Sequence, residues 1–227
     1  MSRPQTLFRW CAGRISVVIL SALLVCCTTG CVGTLVNLIH AAHGNLVPAK
    51  YTGLKEKRVA VVCVSNSESF GPTSASHALA REVGKLLNRN ISDVELVEPQ
   101  EIASWIDNNN WDYVDYQAVG KGVNADMVLA IDLDSFNLYE GKTLFKGRAD
   151  VKVVVYDISE DNREVFSHLP NQIQFPANAG YHTTDMSEGA FRRKFVNVIA
   201  RKIARQFYAY DVKEDFANDA TIIQAGP

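Results

Sequence analysis

Two carboxylates are spaced in a way that could support chemistry. Asp132 and Asp134 follow the apolar run Met127–Ile131, and alternate residues of a strand face the same side of a sheet. Such a pair could bind a metal ion or move protons at a substrate. No histidine lies near them in the sequence, which favours the alternative that they are solvated or cap a turn.

A polar loop could bind a ligand. Its sequence is Ser65-Asn-Ser-Glu-Ser-Phe-Gly-Pro72, and it joins a predicted strand to a predicted helix, a place where α/β folds often bind phosphate. The candidate ligand residues are Ser65, Asn66, Ser67 and Gly71. The loop contains neither Gly-x-Gly-x-x-Gly nor Gly-Lys-Ser/Thr, so Gly71 fits an ordinary turn glycine.

The remaining candidates for catalysis or metal binding are weaker. His40 and His43 are three residues apart, but two histidines without a third ligand make a poor metal site. His77 and His182 have no recognisable companions, and the chain has no Gly-x-Ser-x-Gly nucleophile elbow. The sequence therefore predicts no catalytic residue, no metal site and no cofactor, and the protein is not expected to be an enzyme.

Residues 1–30 have the order of an export signal. Three arginines and no acid lie in residues 1–14, an apolar stretch runs over residues 15–27, and Thr28, Thr29 and Gly30 precede Cys31. This order of basic, apolar and small residues is that of a secretory signal peptide. The positive charge stays on the cytoplasmic side while the apolar stretch enters the bilayer.

The segment Thr28-Thr29-Gly30-Cys31 resembles the bacterial lipobox, with Thr28 where leucine is usual. The resemblance implies diacylglycerol on the Cys31 sulfur, cleavage before Cys31 and acylation of the new amine. Several acyl chains would anchor the protein stably. Val32 is not the aspartate that retains many lipoproteins at the inner membrane, so the resemblance favours the outer membrane, with the domain facing the periplasm.

Two other interpretations of this segment stay open. Residues 15–39 are long enough for an uncleaved signal anchor, because a membrane-spanning helix needs about 20 residues. Simple secretion after cleavage is the third interpretation. All three place the folded domain outside the cytoplasm.

The charge of the predicted mature chain argues against a nucleic-acid partner. The chain has 23 lysines and arginines and 25 acidic residues, and subtracting the three arginines of residues 1–30 leaves 20 basic against 25 acidic, near −5. A mildly acidic domain lacks the electrostatic footprint of nucleic-acid binding, and it has no broad attraction to anionic lipid.

Hydrophobic periodicity places one domain at residues 58–212, between a tether at 31–57 and a tail at 213–227 that is predicted to be disordered. The predicted order is strand, helix, strand, helix, then three strands and a helix, with a short helical piece ahead of the central strand. The strands lie near 58–64, 93–97, 126–133, 136–140 with 144–156, and 164–168. The helices lie near 73–89, from Pro99 onward, at 113–121 and from Ser187 onward.

This order predicts an α/β sandwich, in the α+β sense, with a mixed sheet of about five strands and three to four helices. The last helix is amphipathic, with an apolar face that includes Phe191, Phe195 and Ile203 and a basic face that includes Arg192 and Arg201. We expect it to lie across the sheet. The alternative is a helix on the membrane surface.

Three stretches of the domain resemble a fold that is shared by the TolB amino-terminal domain, the curli-secretion lipoprotein CsgG and the LpoB-type activators of penicillin-binding proteins. They are Arg58-Val-Ala-Val-Val-Cys-Val64, residues 119–129, and residues 147–157 together with 164–167. The resemblance implies a binding or assembly module of the cell envelope. A component of an export channel is an alternative, although no long amphipathic hairpins of the kind a pore needs are evident.

Aromatic residues near a polar Asn run suggest a partner surface. Trp111, Tyr113 and Tyr116 are the candidates, because aromatic side chains are enriched at binding hot spots, while Trp105 is expected in the core. The predicted function is that of a lipid-anchored, non-catalytic docking module for another envelope protein. The alternative is a small-ligand binder or hydrolase that uses loop 65–72 and Asp132.

Overall fold

The computed structural model describes residues 46–65, 74–109, 115–160 and 163–211. The chain divides into two compact units, Met1–Leu46 and Val47–Pro227, and nearly all described residues belong to the second. Several predictions fall outside the described residues: the signal at 1–30, Cys31, Asn66, Ser67, Gly71, Trp111, Tyr113 and the tail at 213–227.

The described residues contain nine strands and four helices. The strands are β1 (Leu46–Val47), β2 (Arg58–Ser65), β3 (Glu95–Leu96), β4 (Met127–Glu140), β5 (Leu144–Asp157), β6 (Arg163–His168), β7 (Ile173–Phe175), β8 (Tyr181–His182) and β9 (Tyr210–Asp211). The helices are α1 (Ala75–Asn90), α2 (Pro99–Asn108), α3 (Tyr116–Gly122) and α4 (Glu188–Ala204).

The main sheet is mixed, as predicted. Seven strands form it, in the order β3-β2-β4-β5-β6, with the short β7 and β8 both paired to β5. β2 is parallel to β3 and β4, and β4 is antiparallel to β5. The apolar run at the start of β4 therefore lies at the centre of the sheet, as its lack of alternation indicated. A separate pair is formed by β1 and β9.

The prediction of separate strands at 126–133 and 136–140 was wrong. β4 is one strand of 14 residues, and its pairing with β5 shifts register between Leu133 and Ser135 and again between Asn137 and Tyr139. Such irregularities let a strand bend and twist while it continues. At the first shift, the Ser135 hydroxyl donates to Asp150 at 2.6 Å and accepts from the Asp150 backbone N–H at 3.1 Å.

Local sequence signals set where the helices begin. The Ser74 hydroxyl caps α1 by accepting from the His77 N–H at 3.2 Å, and Ser187 caps α4 through the Ala190 N–H at 3.3 Å. Pro99 occupies the first turn of α2, where its missing N–H costs nothing. The third helix begins later than predicted, at Tyr116, because Asp115 caps it.

Each face of the sheet is covered by two helices. Side chains of α1 and α4 bury one face together with Val59, Val61 and Cys63 of β2. Side chains of α2 and α3 bury the other face together with Ala60 and Val62. This alternation along β2 follows from the two-residue period of a strand. It confirms that α4 lies across the sheet.

The folded domain begins before Arg58, within the segment that was assigned to the tether. Leu54 is 1% exposed and belongs to the core. The backbone N–H groups of Lys50 and Tyr51 donate to the Gln206 carbonyl at 2.8 and 3.0 Å. The Tyr51 ring also packs on Phe166, with centroids 5.4 Å apart. Among the described residues, no helix has both the length and the apolar character needed to cross a bilayer.

Candidate functional site

Asp132, the carboxylate proposed for chemistry, is held by a tyrosine. It lies on β4, on the sheet face that α2 and α3 cover, and the Tyr116 hydroxyl donates a hydrogen bond to its Oδ1. The Tyr116 ring stacks on Tyr156, with centroids 5.6 Å apart and planes 22° from parallel. Asp134, two residues further along β4, is exposed. The carboxylate of Asp132 therefore serves as the acceptor that fixes α3 on the sheet.

The surroundings of Tyr116 keep its phenol protonated. Burial raises the pKa of Tyr116, and the hydrogen bond to Asp132 and the negative charge of Asp132 raise it further. A phenol with a raised pKa is a hydrogen-bond donor and a poor base. Tyr116 was proposed for the partner surface, and the structure places it half-buried between α3 and β4. The other two residues of that proposal, Trp111 and Tyr113, lie outside the described residues.

Cys63 is a buried thiol within the apolar run of β2. Its residue is 1% exposed, and burial raises the pKa of its thiol, with a further contribution from the charge of Asp132. A thiol nucleophile acts as the thiolate, and this environment disfavours the thiolate. Cys63 is therefore a core residue.

The proposed ligand loop begins at Ser65, the last residue of β2, which lies beside the middle of β4 near Asp132. In the register between β2 and β4, Val64 pairs with Asp132 and Ser65 pairs with Leu133. Because neighbouring residues of a strand point to opposite faces, the side chains of Ser65 and Asp132 lie on opposite sides of the sheet. The part of the loop that the structure describes thus supplies no second group beside Asp132.

No metal site is present in the part of the chain that the structure describes. There, no three side chains of histidine, cysteine, aspartate or glutamate come close enough together to hold an ion. His77 and His182, which had no companions in the sequence, lie on α1 and β8.

Two surface grooves lie among the described residues. The first, of about 380 Å³, lies between α1 and the start of α2, with Val61, Leu96 and Ile102 among its apolar lining and Arg81 and Glu98 among its polar lining. The second, of about 510 Å³, lies between the carboxyl-terminal halves of α1 and α4. Neither groove is evident from the sequence, because each is lined by residues far apart along the chain.

Basic residues outnumber acidic ones in the described lining of the second groove. Lys85 and Arg89 of α1 face Arg201 of α4 and Arg205 just after it, and Glu82 is the one acidic residue among the described residues of the lining. We call this feature the basic groove. Periodicity identified the basic face of α4, but it gave no sign that α1 would supply the opposite wall.

Comparisons with known proteins concern the fold. No protein-family model matches the sequence, and no curated protein matches it. Among solved structures, the PelC dodecamer from Paraburkholderia phytofirmans is similar at 14% identity, with a TM-score of 0.42, over 72% of this chain and 95% of that chain. Lipoprotein GNA1162 from Neisseria meningitidis is similar at 13% identity, with a TM-score of 0.43, over 65% and 97%.

The carboxyl-terminal domain of LpoB from Salmonella enterica is also similar, at 14% identity with a TM-score of 0.35, over 62% of this chain and 92% of that chain. The matches thus include a protein described as a lipoprotein and one of the proteins that the three stretches of sequence resemble.

Proposed function

We propose that this protein is a lipid-anchored component of the cell envelope whose folded domain docks another envelope protein and performs no catalysis. The observation that carries the anchor is the segment Thr28-Thr29-Gly30-Cys31, placed directly after a basic and then an apolar stretch. In this proposal the acyl chains, palmitate among them, hold Cys31 in the membrane, with the outer membrane favoured because Val32 follows the cysteine. The domain then faces the periplasm.

The state of the reactive groups supports a non-catalytic role. Catalytic carboxylates and thiols must be accessible and must be able to change protonation state near neutral pH. Asp132 accepts a hydrogen bond from the half-buried Tyr116, and Cys63 is buried with a raised pKa. Asp132 and Cys63 thus contribute to holding the domain together.

We propose that Trp111 and Tyr113 form the docking surface. They lie between α2, which ends at Asn108, and α3, which begins at Tyr116. Connections of this kind run over the surface of a domain and often carry function, and aromatic side chains are frequent hot spots in protein interfaces.

The anchor is tested by mass spectrometry of the native amino terminus, purified from membranes. The expected result is a chain that begins at Cys31 and carries diacylglycerol and an amide-linked acyl chain. A native chain that retains Met1 would contradict the lipid anchor.

Docking is tested by crosslinking in intact envelopes, followed by purification. We expect a discrete crosslinked partner for the native protein and its loss in Trp111→Ala. The matched control is Leu169→Ala, because Leu169 is 71% exposed and lies elsewhere, between β6 and β7. A crosslinked partner that is unaffected by Trp111→Ala but lost in Leu169→Ala would move the docking surface away from the α2–α3 connection.

A further inference from the structure

The edge of the main sheet beside β2 is only partly covered. β3 pairs with β2 at Arg58 and Val59, and the last backbone bond of this pair among the described residues runs from the Val97 N–H to the Val59 carbonyl at 3.0 Å. β2 itself continues to Ser65. On this side, most of β2 therefore has no neighbouring strand in the part of the chain that the structure describes.

The backbone groups of Val61 are directed to this open edge. Successive residues of a parallel strand bond to neighbours on alternate sides: the Arg58 carbonyl accepts from Asp126 on the β4 side, and the Val59 carbonyl accepts from Val97 on the β3 side. Val61 repeats the direction of Val59, and no described residue bonds to its backbone on that side. Because Val61 is only 9% exposed, its N–H and carbonyl favour a hydrogen-bond partner there.

The first of the two surface grooves, of about 380 Å³, runs along this edge between α1 and the start of α2. We call it the edge groove. Val61 lies in it, Ala80 and Gly84 of α1 form one wall, and Ile102 of α2 lies on the other. Beside Cys63, the cavity that Ala80 and Ile102 also border is only about 20 Å³. The space for an added strand is therefore beside Val61.

The two walls of the edge groove belong to opposite faces of the sheet, because α1 packs on one face and α2 on the other. A strand added beside Val61 would place successive side chains against α1 and α2 in turn. Such a strand needs adjacent apolar residues, like other strands that are buried on both faces. The sequence Thr221-Ile222-Ile223-Gln224, in the segment that follows β9, has this pattern.

Residues 212–227 are long enough to reach the edge groove. The described part of the chain ends at Asp211, directly after Tyr210, which lines the basic groove. Lys85 lines both grooves, so the two lie on either side of α1. A helix with its side chains is about 10–12 Å wide. The ten residues from Asp211 to Thr221 span up to about 33 Å when extended, which is enough to cross α1.

Charge also favours this segment. Residues 212–220 contain one lysine and three acids. The α1 wall carries Arg81 and Lys85, which lie 3.8 and 2.8 Å from the same carboxylate, that of Glu82. Two cations thus share one acid on the helix that the segment has to cross, and the excess positive charge attracts the acidic segment at low ionic strength.

We propose that residues 221–224 of the same chain dock in the edge groove as a short strand beside β2. Their backbone pairs with Val61, and Ile222 and Ile223 contact the opposite walls. The docked strand covers a sheet edge that would otherwise present unpaired backbone groups to other chains. The sequence alone predicts disorder for residues 213–227, and this inference assigns order to four of them. It does not depend on the lipid anchor or on the docking surface at Trp111 and Tyr113.

Two engineered disulfides test the position of the segment in the full-length protein, purified from membranes in detergent. One variant combines Gln224→Cys with Asn88→Cys, and the matched control combines Gln224→Cys with Arg89→Cys. Asn88 lines the edge groove, Arg89 lines the basic groove, and both are exposed. Under mild oxidation we expect the Asn88 pair to form about ten-fold faster, since docking raises the effective concentration on one side of α1. Peptide mass spectrometry distinguishes these disulfides from any at native cysteines.

Two double variants locate the effect within the segment. Ile222→Ser with Ile223→Ser removes the apolar contacts and keeps the length and charge, and we expect the preference for Asn88 to disappear. In the same variant the Val61 amide should exchange with deuterium faster than in the native protein, because it loses its partner. Val212→Ser with Phe216→Ser removes apolar side chains outside residues 221–224, and we expect the preference to remain. Urea unfolding checks that each variant is folded.

Four results would overturn the inference. Equal rates for the two cysteine pairs, or a faster Arg89 pair, would show that the segment does not occupy the edge groove. A preference for Asn88 that survives Ile222→Ser with Ile223→Ser would show that the two isoleucines do not hold it there. Unchanged deuterium exchange at Val61 in that variant would exclude the added strand. Disulfides between two chains, seen as dimers on a gel, would assign the groove to the segment of a second copy.

Discussion

The hydroxyl of Tyr116 donates a hydrogen bond to Oδ1 of Asp132, and this contact connects the first residue of α3 to the central strand β4. The two residues are 16 positions apart in the chain. The bond uses a carboxylate that the sequence suggested for chemistry and one of the three aromatic residues that it suggested for a partner surface. Both residues therefore contribute to the packing of α3, and their removal has measurable consequences.

Replacing Tyr116 with phenylalanine should lower the free energy of unfolding by about 1–3 kcal/mol, because a half-buried carboxylate then loses a charge-assisted hydrogen bond. The measurement is urea denaturation at neutral pH. The matched control is Tyr139→Phe, since the exposed hydroxyl of Tyr139 also donates to a carboxylate, Glu188, at 2.6 Å. We expect a clearly smaller change there, and equal effects would show that burial does not strengthen the Tyr116 bond.

Stability should fall as the pH rises above 10, and part of the fall should come from Tyr116. The pKa of Tyr116 in the folded protein is raised above the ordinary value of 10.0 by burial and by Asp132. The contribution of Tyr116 to the free energy of unfolding is therefore complete below pH 10. It is lost above pH 10, because the phenol of Tyr116 ionises in the unfolded chain while it stays protonated in the folded one. Urea denaturation between about pH 9 and pH 11 should show a shallower fall for Tyr116→Phe than for the native protein.

Burial also raises the pKa values of Tyr51 and Tyr156. In Tyr116→Phe, the decrease in the free energy of unfolding at high pH should therefore be smaller than in the native protein but should not disappear. The same slope in both proteins would mean that Tyr116 ionises at its ordinary pKa in the folded state.

Cys63 should not react with a water-soluble thiol reagent while the protein is folded. Its thiol is buried and has a raised pKa, and only an accessible thiolate reacts. We expect no modification over hours in native buffer and complete modification within minutes in urea, followed by absorbance. Rapid modification of the native protein would show that β2 opens or that the thiol is exposed.

Asp157, the last residue of β5, should stabilise the polar turn that follows it. Its carboxylate accepts from the backbone N–H groups of Ser159 and Glu160 at 3.0 and 3.2 Å. Burial alone would raise the pKa of Asp157, but these bonds and one from the Ser159 hydroxyl more than offset burial, so the pKa lies below the ordinary 3.8. We expect Asp157→Asn to cost about 1–3 kcal/mol at neutral pH.

The pH dependence gives an internal check on Asp157. Because its folded-state pKa is lowered, the stabilisation is present above about pH 4 and is lost as the pH falls through the folded-state pKa. The difference between the native protein and Asp157→Asn should therefore shrink in acid, as measured by urea denaturation at a series of pH values. A difference that stays constant down to pH 2 would exclude the charge of Asp157 as its source.

Two helical glycines should respond to alanine with opposite signs. A Cβ at Gly120 of α3 would lie 2.7 Å from the Ile158 side chain and 2.8 Å from Val128, whereas one at Gly84 of α1 would come no closer than 3.6 Å to Leu96. We expect Gly120→Ala to destabilise by about 1–3 kcal/mol through overpacking. We expect Gly84→Ala to stabilise by up to about 1 kcal/mol, since alanine is the better helix former.

Thermal or urea unfolding of the two variants measures both values. Stabilisation by both substitutions would show that α3 can move away from Ile158 without cost.

Local features of the fold were predictable from the sequence. The apolar run of β2, the proline at the start of α2, the capping serines of α1 and α4 and the helical spacing of Phe191 and Phe195 each act within a few residues of the chain. Helix-capping hydrogen bonds join residues two or three positions apart, and side chains repeat their direction every two residues in a strand and every three to four residues in a helix. For this reason the mixed sheet, its central strand and the position of α4 agree with expectation.

The predicted end of a strand at Leu133 and the predicted start of the domain at Arg58 differ from the structure, because contacts between residues far apart in the sequence set both boundaries. β4 continues past Leu133 because β5 is aligned beside it to accept the shifted register, and no residue near Leu133 signals that partner. Leu54 joins the core because the chain before Arg58 bonds to the segment that follows α4. Turn residues around Leu54 made this stretch look like a tether.

By itself, the sequence determined the order of strands and helices, which faces of them are apolar, and the motif around Cys31 on which the anchor proposal rests. Only the tertiary structure decided that Asp132 meets Tyr116 and that α1 and α4 bring their cations together in one groove. Both arrangements depend on which helices share a face of the sheet. That choice is made by the packing of the whole domain, so no short stretch of the chain encodes it.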